Sequence, residues 1–485
     1  MEFKKRLELF NSEKLLLYFS IFILIACFIL EIFIILNFPL AGNEAFFATR
    51  ATYLMEDGEI PNTLHFNNHA PFAIYFLGLF SVFFELTTQT LHLAAFFWEF
   101  LTLILIFFIS KKYFGTTNAI VASAIFIVFS ISFSGTIYNS EYPSAFFGLL
   151  AIFFYLLFLE KRNAHYLITS GLILSLSMWF KQPGFLFFLA ILIHQLYLFS
   201  RKKQSLPQSL KNITLVTLSV LILSVPFLTY FLYHAGWMFI YDLFIFNIVA
   251  NPAHSRFLIA GKFLRMMVQS FGLFIIIIFG VPAQEKESKN NDLISFLWIA
   301  SIIFILFYFM SYELFNLHLI NLLVIIIPLS MFYFTKYTQN SLRVIRIVLI
   351  IFLFTTFMVS LEITLREHQK GEKFKQEEIK QYLLFEIPED SAVYSIHDNY
   401  YFLTGFKSTY RYTTVQPNID LTKFKDFCNY LDTLDYIILT KIQKKHIGAK
   451  NLNCVYSKFT SIKTFENIDA TGQGNVEILK RTPHS

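Results

Sequence analysis

GNEAFFATRATYLMEDGEIPNTLHFNNHAPF, residues 42–72, is the first polar stretch after an apolar run, Leu15–Leu36. It holds Glu44, Arg50, the acidic turn Glu56-Asp57-Gly58-Glu59 and two histidines, His65 and His69. The preceding run meets the length of about 20 apolar residues that a membrane-spanning helix needs. It follows Lys4, Lys5, Arg6 and Lys14 and has no small-residue cleavage site, so it reads as a retained helix and not a removed signal peptide. Basic flanks mark the cytoplasmic side. The stretch 42–72 is therefore expected on the opposite face, and the fold follows from that placement.

Working outward, the 485 residues are 56% hydrophobic and only 15% charged, with 62 Phe. A soluble domain is about half apolar but about a quarter charged. Long apolar runs make the chain mainly α: a polytopic transmembrane helical bundle with a small C-terminal α/β domain outside the cytoplasm. The net charge of +6 sits in short connections between spans, which excludes a nucleic-acid partner. Spans are expected at 15–37, 89–110, 117–138, 143–159, 166–180, 184–199, 212–234, 267–282, 293–311, 318–335 and 343–364. That is about eleven crossings by the length rule. Residues 1–365 then form a transmembrane catalytic domain, with 38–88 as an outer loop, and 366–485 a soluble outer domain.

Two segments are too short to cross and are expected to lie along the outer interface. In Asn43–Asp57, Asn43 reads as N-cap, Glu44 as a first-turn acid, Phe47, Ala51, Leu54 and Met55 as an apolar stripe, and Gly58 as the stop. Pro71–Glu85 is the other. Lys181-Gln182-Pro183-Gly184 forms a tight polar turn at membrane depth, where a lysine costs about 2.5–3.5 kcal/mol on insertion scales. In the tail, Glu372–Phe385 reads as a helix, and Ala392–Ile396, Asp435–Thr440 and Val476–Lys480 as strands. Cys27 reads as packing. Cys428 and Cys454 can pair if the tail lies outside the cytoplasm, and the sequence leaves that open.

The polar groups gather on one face. The outward connections carry Glu44, Arg50, His65 and His69; Glu141; Lys181 and Gln182; Tyr241, Asp242, Asn251, His254, Arg256, Lys262 and Arg265; then Glu313, Asn316 and His318. Carboxylates can serve as general base or metal ligand, and cations can hold a phosphate leaving group. Bland roles compete at each position. Glu44 and Glu141 suit helix starts, Arg50 can snorkel to head groups, and Pro61, Asn67 and Asn68 argue that His65 and His69 lie in a loop and not on a metal-binding helix face.

The order of these elements resembles the GT-C superfamily of membrane glycosyltransferases. It is closest to glycosyltransferase family 39, which contains protein O-mannosyltransferases and lipid A aminoarabinose transferases. Gly42-Asn43-Glu44-Ala45 stands where that family has an acidic pair after the first span. Arg50–Gly58, His69-Ala70-Pro71, Glu141, Lys181–Gly184, and His318 with Pro328 match later elements in order. Asn43 departs from the family's Asp and Ala70 from its Pro. The resemblance implies a polyprenyl-phosphate sugar donor and a lipid, glycan or protein acceptor in a bacterial inner membrane, with the N-terminus inside. It implies Glu44 and Glu141 as catalytic acids, and Arg50, His69, Lys181, Gln182, Arg256 and His318 as donor-phosphate or substrate contacts. No soluble nucleotide cofactor is called for; a divalent metal ion on Glu44 and His318 stays open. A polymerase or ligase of lipid-linked glycans shares this outward chemistry. A flippase would show matched halves or a polar path through the membrane, and neither is present. Asn43 is the sole argument for an inactive scaffold.

Overall fold

The computed structural model describes residues 12–65, 67, 69–133, 137–245, 291–310, 319–335, 339–373, 376–388, 390–395, 398–406, 408, 427–466 and 475–482. Helix α1 (Ser12–Asn37) is followed by α2 (Gly42–Asp57) and α3 (Phe72–Ser81). Then come α4 (Thr88–Phe114), α5 (Thr116–Ser132), α6 (Glu141–Lys161), α7 (Ala164–Phe180), α8 (Phe185–Ser200) and α9 (Leu206–Ala235). A short helix α10 (Trp237–Ile240) runs into a π-helical turn, Tyr241–Ile245. The later helices are α11 (Asn291–Met310), α12 (Ile320–Phe334) and α13 (Gln339–Lys373). Among the described residues, six helices are long and apolar enough to cross a membrane. Shorter apolar helices at 116–132, 164–180, 292–308 and 320–334 stand where further spans were expected; the expected span 267–282 lies outside the described residues. The chain is an integral membrane protein.

The helices sort by surroundings. α12 is buried at every position and forms the centre. α1, α9 and α13 turn Phe22, Ile29, Leu218, Ile222, Val344 and Ile351 outward, an apolar surface that suits lipid. Small residues let helices approach. A Cβ on Gly171 of α7 would sit 2.7 Å from the Val216 carbonyl oxygen of α9, and one on Gly148 of α6 would strike the Phe187 ring of α8 at 2.1 Å. Lys111 and Lys112 close the last turn of α4 before Gly115, whose positive φ starts a new helix.

α2 differs in detail from the sequence reading. Its N-cap is Ala41 and not Asn43, whose side chain lies outside the described set. Glu44 therefore sits at N3, where its carboxylate accepts from the Ala41 N–H at 3.1 Å, the half of a capping box that an N3 glutamate supplies. The stop at Gly58 holds, with φ +67°. The helix does not carry a single buried stripe. Residues 44–51 are buried on all sides, while Met55 is exposed. α3 spans only ten residues and packs on α2 through Gly78, close to Leu54 and Met55.

The tail begins with α14 (Gln376–Glu386) and forms a four-stranded sheet. Its strands β1 (Val393–Ser395), β2 (Tyr436–Thr440), β3 (Phe459–Phe465) and β4 (Val476–Arg481) lie in the order β1-β2-β4-β3, with β1 and β2 parallel and the other pairs antiparallel. Ile437 and Leu439 face one apolar cluster, and Tyr436 and Ile438 the other. Burial on both faces explains why β2 reads as one apolar run. β3 escaped the sequence reading because Thr460–Thr464 is exposed throughout and carries no apolar alternation. A disulfide joins Cys428 and Cys454. A helix within the tail, α15 (Asp398–Thr404), packs on α2. There Asn399 Nδ2 donates to the Leu40 carbonyl at 3.4 Å, and the Ser408 N–H donates to the Tyr53 hydroxyl at 3.0 Å.

Candidate active site

α6 starts where it does because Asn139 caps it. The Asn139 Oδ1 accepts from the N–H groups of Glu141 at 2.9 Å and Tyr142 at 3.4 Å. That fixes the Glu141 carboxylate at the helix head. α7 ends at Phe180. Lys181 is extended, and Gln182–Gly184 then closes a 3₁₀ turn into α8. The turn needs glycine at its end: a Cβ on Gly184 would lie 2.6 Å from the Ser177 backbone carbon and oxygen. The result aims Lys181 at Glu141. Its Nζ lies 3.1 Å from Glu141 Oε1 and 3.1 Å from His69 Nδ1. An ammonium only donates, so His69 Nδ1 accepts. Phe46 and Phe47 of α2 wall the His69 ring at 5.3 and 5.0 Å between centroids. Carboxylate, cation and imidazole thus meet from three connections of the chain. Glu141 and Lys181 are 4% and 9% exposed, and shielding from water strengthens charge interactions there.

Glu44 lies nearby in a different setting. It is wholly buried. Oε2 accepts from the Ala41 N–H and lies 3.2 Å from His92 Nε2 on α4, and Oε1 accepts from the Tyr138 N–H at 2.9 Å. Tyr138 also donates its hydroxyl to the Ala73 carbonyl at 2.8 Å. Glu44 therefore ties the start of α2 to α4 and to the loop that launches α6. Arg50 is buried too and does not snorkel: its guanidinium carbon sits 5.2 and 5.8 Å from the Phe46 and Tyr53 ring centroids.

Gln182 turns from Lys181 toward the π turn and donates to the Leu243 carbonyl at 3.3 Å. His65 is a tie to the tail. Its Nδ1 lies 2.8 Å from Glu59, and its Nε2 lies 2.9 Å from the Ser408 carbonyl oxygen. Arg256 and His318 lie outside the described residues, as do Lys262, Arg265 and Glu313. The suggested metal pair fits poorly from the Glu44 side, because three of a carboxylate's roughly four acceptor positions are taken by nitrogen partners. No group of three or more His, Cys, Asp or Glu that could hold a metal occurs among the described residues.

Of the buried polar residues near the site, His92 and Asn62 were not singled out from sequence, Asn67 read only as a loop residue, and Asp242 stood among the outward polar groups without a role. Nothing local marks them, since their partners come from distant segments. Glu31 and Glu99, buried side by side in α1 and α4, were legible as acids inside apolar runs, a pattern that asks for a function.

The chain is similar to known proteins in sequence and in fold. Residues 68–230 match the family model for dolichyl-phosphate-mannose-protein mannosyltransferase, a stretch that holds His69, Glu141 and Lys181. The fold is similar to ArnT from Cupriavidus metallidurans, solved bound to undecaprenyl phosphate. The TM-score is 0.69 over 94% of this chain and 97% of that one, at 10% identity. The likeness is one of fold. An oligosaccharyltransferase from Archaeoglobus fulgidus, solved with Zn and sulfate, is also similar in fold, with a TM-score of 0.58, covering 86% of this chain and 67% of that one at 12% identity. No curated protein matches the sequence significantly.

Proposed function

We propose that this chain is a membrane glycosyltransferase that moves a sugar from a polyprenyl-phosphate carrier to a lipid, glycan or protein acceptor outside the cytoplasm. The observation that carries the reading is the Glu141–Lys181–His69 constellation, shielded within a GT-C fold. The Glu141 carboxylate takes the proton of the acceptor hydroxyl. The acceptor oxygen then bonds to the anomeric carbon as the bond from that carbon to the phosphate oxygen breaks. The carrier leaves as polyprenyl phosphate with the bonding electron pair, and its charge is met by Lys181. Attack opposite the leaving group inverts the anomeric centre.

Glu44 takes part through position: it holds the loop that carries Tyr138 and so the head of α6. Arg50, Gln182, Arg256 and His318 complete the substrate contacts. α2 and α3 border the opening toward lipid, the N-terminus lies in the cytoplasm, and residues 366–485 cover the outer side. A bacterial inner membrane is the setting, by likeness to ArnT with its bound undecaprenyl phosphate. No step is routed through a metal ion.

The test is transfer by purified protein in lipid nanodiscs, using undecaprenyl-phosphate-linked sugars and a panel of acceptors. Wild type should release undecaprenyl phosphate, while Glu141→Gln and Lys181→Ala should not. Transfer at the wild-type rate by both variants would overturn the assignment.

A further inference from the structure

Asp242 has no role in the chemistry above, yet the turn that carries it contacts two of the three segments that build the site, those of His69 and Lys181. The geometry points to Asp242 as a positioning residue: from the π-helical turn it fixes Asn62 and Asn67 and thereby holds His69 against Lys181. This deepens the functional reading above and rests on it.

The chain of contacts is continuous. Asp242 is fully buried, and its Oδ2 accepts from Asn62 Nδ2 at 3.1 Å and from the Asn67 N–H at 3.5 Å. Asn62 sits at φ +73°, a left-handed conformation that asparagine tolerates better than most residues. The two asparagines also lock each other. Asn62 Nδ2 donates to the Asn67 carbonyl at 2.5 Å, and Asn67 Nδ2 donates to Asn62 Oδ1 at 3.4 Å. Asn67 Oδ1 then accepts from the His69 N–H at 3.0 Å, and His69 Nδ1 meets Lys181.

The residues flanking Asp242 repeat the pattern. Leu243 offers its carbonyl to Gln182, the neighbour of Lys181, and Tyr241 packs against an apolar cluster of the tail. A single π turn, a form frequent at functional sites, thus grips the loop before α3, the turn after α7 and the tail. Burying Asp242, Asn62 and Asn67 together is unfavourable unless every group is satisfied. What this arrangement achieves, and an apolar plug would not, is a fixed hydrogen-bond register linking Asn62, Asn67 and His69.

Asp242→Ala should lower kcat/KM for the lipid donor about 10- to 100-fold, the scale of an ångström-level misplacement. Asp242→Asn keeps an acceptor oxygen for Asn62 and should restore most of that loss. The double variant Asp242→Ala/His69→Ala should be no slower than His69→Ala alone, because one residue acts through the other. Additive losses, a wild-type rate for Asp242→Ala, or an Asp242→Asn variant as slow as Asp242→Ala would each overturn the inference. If Asp242→Ala fails to fold, Asn67→Ala replaces it in the same cycle with the same expectation. Wild-type transfer by both His69→Ala and Lys181→Ala would instead sink the functional reading itself.

Discussion

Glu44 and Glu141 look alike and behave differently. Each is a buried glutamate in the first turn of a helix on the same face of the bundle. The carboxylate of Glu44 meets two backbone N–H groups and an imidazole. Glu141 meets a lysine that is itself shared with a histidine. The first arrangement fixes three pieces of chain. The second pairs the acid with a cation, the arrangement the proposed reaction calls for. Position in a helix therefore does not decide a carboxylate's role; the number and kind of its donors do.

The comparison can be broken by mutation. The largest effect is expected from Lys181→Ala, which should cut sugar transfer about 100- to 1,000-fold, the scale of a lost charge-stabilising group. Release of polyprenyl phosphate, measured by mass spectrometry, checks it. Glu44→Gln should act mainly on stability. An amide presents one acceptor oxygen where the carboxylate used two, so about 1–3 kcal/mol should be lost. Turnover per folded molecule should stay within a few-fold, on a thermal-shift assay run beside transfer. If Glu44→Gln stays folded and stops transfer, Glu44 is chemical and the contrast fails.

Gly184→Ala sharpens the Glu141 side. It forces the turn off the Ser177 backbone at a cost of about 1–3 kcal/mol, and it should move Lys181 without changing any charge. Transfer should fall while undecaprenyl phosphate still binds more weakly, as read by native mass spectrometry. Normal transfer would show that the turn's placement is unimportant.

The smallest effect concerns a third acid, Glu477 of the tail. Burial pushes its carboxyl up, but hydrogen bonds from Lys444 and Tyr456 outweigh this and leave it below the usual carboxylate range. Its stabilising contribution is present above the ordinary glutamate value and is lost as the pH falls through the depressed one. Glu477→Gln should flatten the acid limb of the tail's thermal stability and leave transfer at neutral pH unchanged. An unaltered acid limb would refute it.

The helices were legible because apolar runs with basic flanks state their own positions. β2 and β4 were legible for the same reason. β3 was not, because its central residues, Thr460–Thr464, are all exposed. Lys181 and Glu141 could be picked out because charged residues at outer turns of an apolar chain are few. Their 3.1 Å pairing could not, nor could the saturation of Glu44 by Tyr138, which is 94 residues away. The helix start at 42 was missed because Ala41 is no cap by type, and the cap is supplied by Glu44.

The sequence by itself determined a bundle of membrane helices, because transfer into lipid is a local and nearly additive property of each segment. Tertiary structure alone decided which of the polar residues share a proton, a charge or a hydrogen bond. A side chain's chemistry is set by atoms within about 3 Å, and here those atoms come from segments far apart in the chain.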